Sequence, residues 1–164
     1  LADWDHAAWL GALEANMLAP ILLIRALIPG MRERRFGRIV NIPSAMVKSP
    51  RPAMALSTAA RAGLTAFCKS VSLDVAADNV VINNLLPERI DTDRQRFMAE
   101  RMMAAEPGLT YDQARARIAA TLAAKRLGDP AEFGAACAYL CSAQASFVSG
   151  QNLQLDGGSY PGLI

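Results

Sequence analysis

The chain has little of the chemistry that most readily marks a site. Of its 164 residues, three are cysteine, one is histidine and 6% are aromatic. Three cysteines are an odd number with no paired framework, which suits a reducing compartment, and no C-x-x-C occurs. Cys137 and Cys141 lie four apart in a helical-looking stretch and are expected as two small core residues. With His6 as the sole histidine, a metal centre lacks ligands. Neither sign of charge dominates. Seventeen Lys+Arg against fifteen Asp+Glu leave +2, too balanced to require a nucleic acid. The longest apolar run, Met17 to Ile24, is short for a membrane span and is interrupted by Pro20. Asp3 and Asp5 stand where a secretory signal would be basic. What is present is 52% hydrophobic residues and a mean hydropathy of +0.17, enough to build a core. A single domain over 1–164, without membrane association and cytoplasmic, is the expectation.

The chain opens at Leu1, with no initiator Met, directly on a helix-like pattern. That predicts either processing or a stretch cut from a longer polypeptide. Asp3 or Asp5 can cap a first helix over about 5–32, with Trp9, Leu13, Met17, Ile21 and Ile24 at helical spacing. Pro20 should kink it, and Pro29-Gly30 should bend it again. Arg32, Arg34 and Arg35 then read as a solvated cationic helix end. Gly37 to Ile42 reads as a strand, about 53–76 as a second long helix, and Val80 to Leu86 as a β-branched strand stopped by Pro87. Residues 93–127 read as helical with a break at Pro107-Gly108. Thr110-x-x-Gln113 and Asp129-Pro130-x-Glu132 are capping signals, the second opening a helix to about Ser142. Gly150 to Leu155 alternates as a short strand ended by Gly157-Gly158. This order implies right-handed crossovers and a parallel sheet. About three strands are few for such a sheet, and the strand at Gly37 is left as a bare edge. The pattern is therefore that of the later strands of a doubly wound α/β fold.

Gly37-Arg38-Ile39-Val40-Asn41-Ile42-Pro43-Ser44, Arg61-Ala62-Gly63-Leu64 and Val81-x-Asn83-x-Leu85-x-Pro87-x-x-Ile90-x-Thr92 resemble the short-chain dehydrogenase/reductase family. Arg126-Leu127-Gly128-Asp129-Pro130-x-Glu132 and Ser149-Gly150-Gln151-x-Leu153-x-Leu155-Asp156-Gly157-Gly158 extend the likeness to the C-terminus. The nearest branch is that of bacterial 3-oxoacyl-acyl-carrier-protein reductases. The resemblance implies a Rossmann-like sheet whose dinucleotide-binding half would precede Leu1, since no G-x-x-x-G-x-G occurs in this chain. It also implies NAD or NADP in an intact parent, held weakly if at all by this stretch alone. A small carbonyl or acyl substrate and a homodimer or homotetramer built through the helices at about 5–32 and 53–76 follow from the same likeness.

The family's site uses Asn, Ser, Tyr and Lys. Asn16 stands at the Asn position, and Ser44, 28 residues on, at the Ser position. The Tyr position holds Ser57 and the Lys position Arg61. A serine hydroxyl has no acidic form near neutral pH, and arginine keeps its charge without transferring a proton. Arg61 would still meet a cofactor ribose, and Pro87, Ile90 and Thr92 would contact its nicotinamide end. Glu88 occupies a position where the family has glycine and would crowd or repel a nicotinamide or pyrophosphate. Other readings stand beside these: Asn16 and Ser44 as satisfied structural residues, Ser57 and Arg61 as helix-surface or interface residues, and Thr92 as a helix cap. Two functions remain open, an NAD(P)-dependent oxidoreductase of short-chain type with divergent Tyr and Lys positions, and a non-catalytic relative serving binding or oligomerisation.

Overall fold

The long apolar-patterned segments become helices whose inner residues pack on the sheet, and three helices open on a capping side chain. The computed structural model describes residues 4–163. Helix α1 is His6–Leu13, and Asp5 caps it by accepting a hydrogen bond from the Ala8 N–H at 2.8 Å. Asp3, the other candidate cap, lies outside the described residues. A wide π turn over Glu14–Leu18 joins α1 to α2, Ala19–Glu33. Pro20 has no N–H for the carbonyl of Asn16, so the expected kink takes the form of this widened turn just before it. Pro29 sits inside α2 without ending it.

This continuous stretch, His6–Glu33, is long and apolar enough to cross a membrane by length and composition. The short apolar run, Met17 to Ile24, thus lies inside a longer helical stretch that meets the length criterion. Its inner residues Ile24 and Met31 instead pack with Leu64, Cys68, Val75, Val80 and Ile82 in the main core. Arg32 and Arg35 are not merely solvated. They pair with Asp74 at 2.7 Å and with Asp78 at 3.0 and 2.7 Å, locking the end of α2 to the end of the next helix.

Strands β1 (Gly37–Asn41), β2 (Val80–Pro87) and β3 (Asn152–Leu155) form a parallel sheet in the order β1-β2-β3. The parallel sheet and the edge position of the first strand are as expected. Helix α3, Ala55–Val75, makes the crossover from β1 to β2. Residues alternate across β2: Val80 and Ile82 face α2 and α3, and the intervening Val81, Asn83 and Leu85 face the other way. Helix α6, Pro130–Cys141, packs on β1 and β2. A row of asparagines runs across the sheet in register, Asn41 beside Asn84 beside Asn152. Asn84 accepts from Asn41 at 3.3 Å and donates to Asn152 at 2.8 Å. A buried amide is tolerated here because each polar end finds a partner on the next strand.

Residues 93–127 break at Pro107-Gly108 as expected, but the helical part ends at Ala120. Helix α4 is Asp93–Ala105 and α5 is Tyr111–Ala120, opened by the expected Thr110–Gln113 capping box; turns follow from Thr121. These two helices close a separate apolar cluster around Ala99, Leu109, Ala114 and Ile118. The capping box of Asp129 and Glu132 opens α6. Cys141 on that helix is exposed and Cys137 only half-buried, so the pair is not core. Tyr139 on the same helix is exposed. Cys68, by contrast, is fully buried, which pushes its thiol up to about 11.

Candidate functional site

The C-terminal ends of β1 and β2 point the same way, and chain leaving a parallel strand there lines a crevice. After β1 the backbone delivers Pro43 and Ser44, and after β2 it delivers Pro87 through Thr92. Helix α3 contributes Arg61, α4 contributes Gln95 and Met98, and α6 contributes Phe133. Together they enclose a cavity of about 650 Å³. Of the residues singled out from sequence, Ser44, Arg61, Pro87, Glu88, Ile90 and Thr92 line it.

Ser44 is in extended backbone, and its Oγ accepts the Met46 N–H at 3.2 Å, so its own O–H is available to donate. Arg61 is half-buried. Its Nε donates to Asn16 Oδ1 at 3.2 Å, and its Nη1 donates to the Pro43 carbonyl. Burial pulls its pKa below the usual arginine value, yet a guanidinium remains charged throughout the physiological range. Asn16 does not line the cavity. It stands in the π turn behind Arg61, its Nδ2 donating to the Ala12 carbonyl at 3.1 Å, and so fixes where the guanidinium lies. Ser57, one turn before Arg61 on α3, lies outside the cavity wall, and its side chain makes no hydrogen bond among the described residues. Thr92 is at the N-cap position of α4, but its hydroxyl donates to the Ile90 carbonyl at 3.4 Å rather than capping.

Two backbone devices hold the segment after β2. Ile90 bridges Gly128 in parallel fashion, and a Cβ at Gly128 would come within 2.7 Å of Ile90 Cδ1, so a larger residue there would make the Ile90 side chain shift. Asp91 forms a bidentate pair with Arg115 on α5, one arm at 2.7 Å. The Arg115 guanidinium holds the Asp91 carboxyl below the usual carboxylate range.

Sequence reasoning noticed Glu88 but not its partners. Its carboxylate is 9% exposed and meets Arg51 at 3.3 Å and Arg89 at 3.3 Å. Arg51 comes from the loop after β1, so this pair spans the crevice. Glu88 also borders two smaller hollows of about 180 and 100 Å³, and it acts as the partition between them and the main cavity. Signals for Arg51, Gln95, Met98 and Phe133 were absent, because nothing local marks a side chain that reaches the cavity only through the fold. Among the described residues, no group of three or more His, Cys, Asp or Glu is placed to hold a metal.

Residues 1–160 match a family model described as "Enoyl-(Acyl carrier protein) reductase". The 3-oxoacyl-[acyl-carrier-protein] reductase FabG of Vibrio cholerae serotype O1 is 32% identical over 152 residues, 93% of this chain and 57% of that protein. Nodulation protein G of a Rhizobium species (strain N33) is 32% identical over 157 residues, 96% of this chain and 57% of its own length. The chain thus spans little more than half the length of these relatives. Among solved structures, YwfH, an NADPH-dependent reductase involved in bacilysin biosynthesis, superposes with a TM-score of 0.91 at 29% identity. L-sorbose reductase from Gluconobacter frateurii, solved with NADPH and L-sorbose, gives 0.92 at 26%. Each is covered over 99% of this chain and 62% of theirs. The parallel sheet and its helices thus follow these solved structures along nearly the whole of this chain, and the chain belongs to the short-chain dehydrogenase/reductase family.

Proposed function

We propose that the cavity is the substrate side of an NAD(P)-dependent oxidoreductase that reduces a ketone or 3-oxoacyl group, at a site whose Tyr and Lys positions have diverged. The observation that carries this reading is the meeting of Ser44, Arg61, Pro87, Ile90 and Thr92 on one cavity at the ends of parallel strands. The residues fit the nicotinamide end of such a cofactor: Pro87, Ile90 and Thr92 form one wall, and the nearby Glu88 charge is already paired with arginines. The nicotinamide, when bound, supplies the hydride. Ser44 donates its free O–H toward the substrate carbonyl oxygen, and the fixed charge of Arg61 stabilises the oxygen as negative charge develops on it. Asn16 is a positioning residue for Arg61. Neither Ser44 nor Arg61 is an acid near neutral pH, so the proton for the new hydroxyl comes from solvent and turnover is slow.

The test is consumption of NADPH with acetoacetyl-CoA, in a protein carrying these residues behind a Gly-rich phosphate-binding turn. Ser44→Ala is expected to lower the rate by about tenfold or more. A protein that binds NADPH yet consumes none with any ketone favours the second reading, a non-catalytic scaffold. The position of Ser57, off the cavity wall, supports that alternative.

Association is part of the same reading. Leu10, Leu22, Leu23 and Leu27 on the first helical stretch are 54%, 54%, 64% and 51% exposed, and Ala59 and Ala66 lie exposed on α3. An apolar surface of this extent calls for cover. A second copy, paired about a two-fold axis as a homodimer or within a homotetramer, supplies it. Leu23→Glu with Ala66→Glu is expected to convert the assembly to monomer in light scattering. A native chain already monomeric at micromolar concentration rejects the proposal.

A further inference from the structure

The cavity is apolar along much of its wall and cationic elsewhere. Met54, Met98 and Phe133 give it apolar surface, and Ile42 adds more at the β1 side. Against these stand four arginines, Arg51, Arg61, Arg89 and Arg94, with Glu88 as the one carboxylate among the lining residues, leaving three positive charges in excess. Arg51 and Arg89 share Glu88. Arg61 and Arg94 meet no carboxylate among the described residues: the Arg61 partners are the neutral oxygens of Asn16 and Pro43, and Arg94 lies over the Phe97 ring. Elsewhere the fold matches such charges directly, as at Arg115 with Asp91 and Arg126 with Glu132. Arg61, half-buried with only neutral partners, is electrostatically incomplete, and an anion entering beside it completes it, with the exposed Arg94 adding charge at the same cavity.

We infer that the ligand of this cavity is a carboxylate with an apolar body, an oxo acid in its anionic form, whose charge rests among these arginines and whose body lies along the methionines and Phe133. The inference rests on the reading of the cavity as the substrate site and adds the charge of the substrate to it. An apolar body accounts for the wall, which a bare phosphate group would leave uncovered. A carboxylate accounts for the planar guanidinium donors, which take its two oxygens in parallel.

Benzoylformate and acetophenone share a phenyl ketone and differ in the carboxylate. Titrated calorimetrically into this chain at neutral pH and low salt, benzoylformate is expected to bind at least about tenfold more tightly than acetophenone. Half-molar salt should shrink that preference several-fold, because the mouth of the site is open to counterions. Arg61→Gln should abolish most of the preference. Arg94→Gln, at an exposed position where folding is not at stake, should reduce it measurably. Equal binding of the two ketones, or a preference that both variants retain in full, overturns the inference. So does inorganic pyrophosphate that displaces benzoylformate at similar concentration, since the arginines would then serve a phosphate-bearing ligand. The two readings fail separately. A charge preference without NADPH-dependent turnover leaves the oxo-acid site standing and removes the reductase, whereas turnover of acetophenone as readily as benzoylformate does the reverse.

Discussion

Ser57→Tyr combined with Arg61→Lys is expected to raise NADPH-dependent ketone reduction about a hundredfold or more, in a protein that also carries the Gly-rich phosphate turn. Positions 57 and 61 lie one turn apart on α3, so their side chains share a face. Arg61 already reaches the cavity from that face, held by Asn16 and Pro43. Ser57 stops short of it, and its side chain has no hydrogen bond among the described residues to lose. A tyrosine there extends a phenol toward the same space, and an adjacent ammonium lowers the phenol pKa toward the working range. Neither change alone suffices. Tyr without Lys has an acid matched poorly to neutral pH, and Lys without Tyr has no proton donor to tune. The double variant should also acquire a pH-rate profile with a limb that the native protein lacks, because an ionising phenol enters the rate law. If the native protein already reduces acetoacetyl-CoA as fast as the double variant, the reading of a diverged site is wrong.

Asn84→Leu is expected to lower unfolding stability by about 3 kcal/mol. The Asn84 side chain is 2% exposed in the central strand, between Asn41 and Asn152. Leucine is close to it in size, so little cavity is created. The cost arises because the Asn152 carbonyl oxygen loses its donor and Asn41 loses an acceptor in a place water reaches poorly. Asn41 retains a contact to Cys68 Sγ at 3.2 Å, which softens its share. Urea denaturation followed by circular dichroism measures the change. Replacing Asn152 by leucine as well should recover part of the loss, since removing both partners leaves no orphan on that side. A loss below about 1 kcal/mol for the single variant would mean that the row of asparagines is incidental to stability.

The division between what the sequence alone determined and what the tertiary structure decided follows how far apart the interacting groups lie in the chain. Capping is local. Asp5, Thr110 and Asp129 each bond backbone N–H groups two or three residues on, so their helix starts could be read directly. The strand Val80 to Pro87 was legible for a related reason: a β-branched run buried on both faces and ending on a proline carries its signal within itself. The starts of β2 and β1 were read to the residue, whereas their ends differ by one: Pro87 is within β2 instead of stopping it, and β1 ends at Asn41 instead of Ile42. The family motifs are likewise contiguous, and they were sufficient to place Ser44, Arg61, Pro87, Ile90 and Thr92 on one list before the cavity brought them to one wall.

Pairing across the fold was not legible. Glu88 meets Arg51 across 37 residues, Arg61 meets Asn16 across 45, and Asn84 meets Asn152 across 68. Nothing in either segment identifies its partner, because a charge or an amide looks the same in sequence whether solvent or another chain segment satisfies it. For the same reason Arg32 and Arg35 read as a solvated end although Asp74 and Asp78 hold them. Cys141 read as core because helical spacing gives the face of a residue but not what, if anything, lies against that face. Residues 121–127 read as helix because their composition permits one; the turn there is imposed by Leu122 and Leu127 entering the cluster between α4 and α5. Local propensities differ by fractions of about 1 kcal/mol per residue, and burial of two leucines outweighs them.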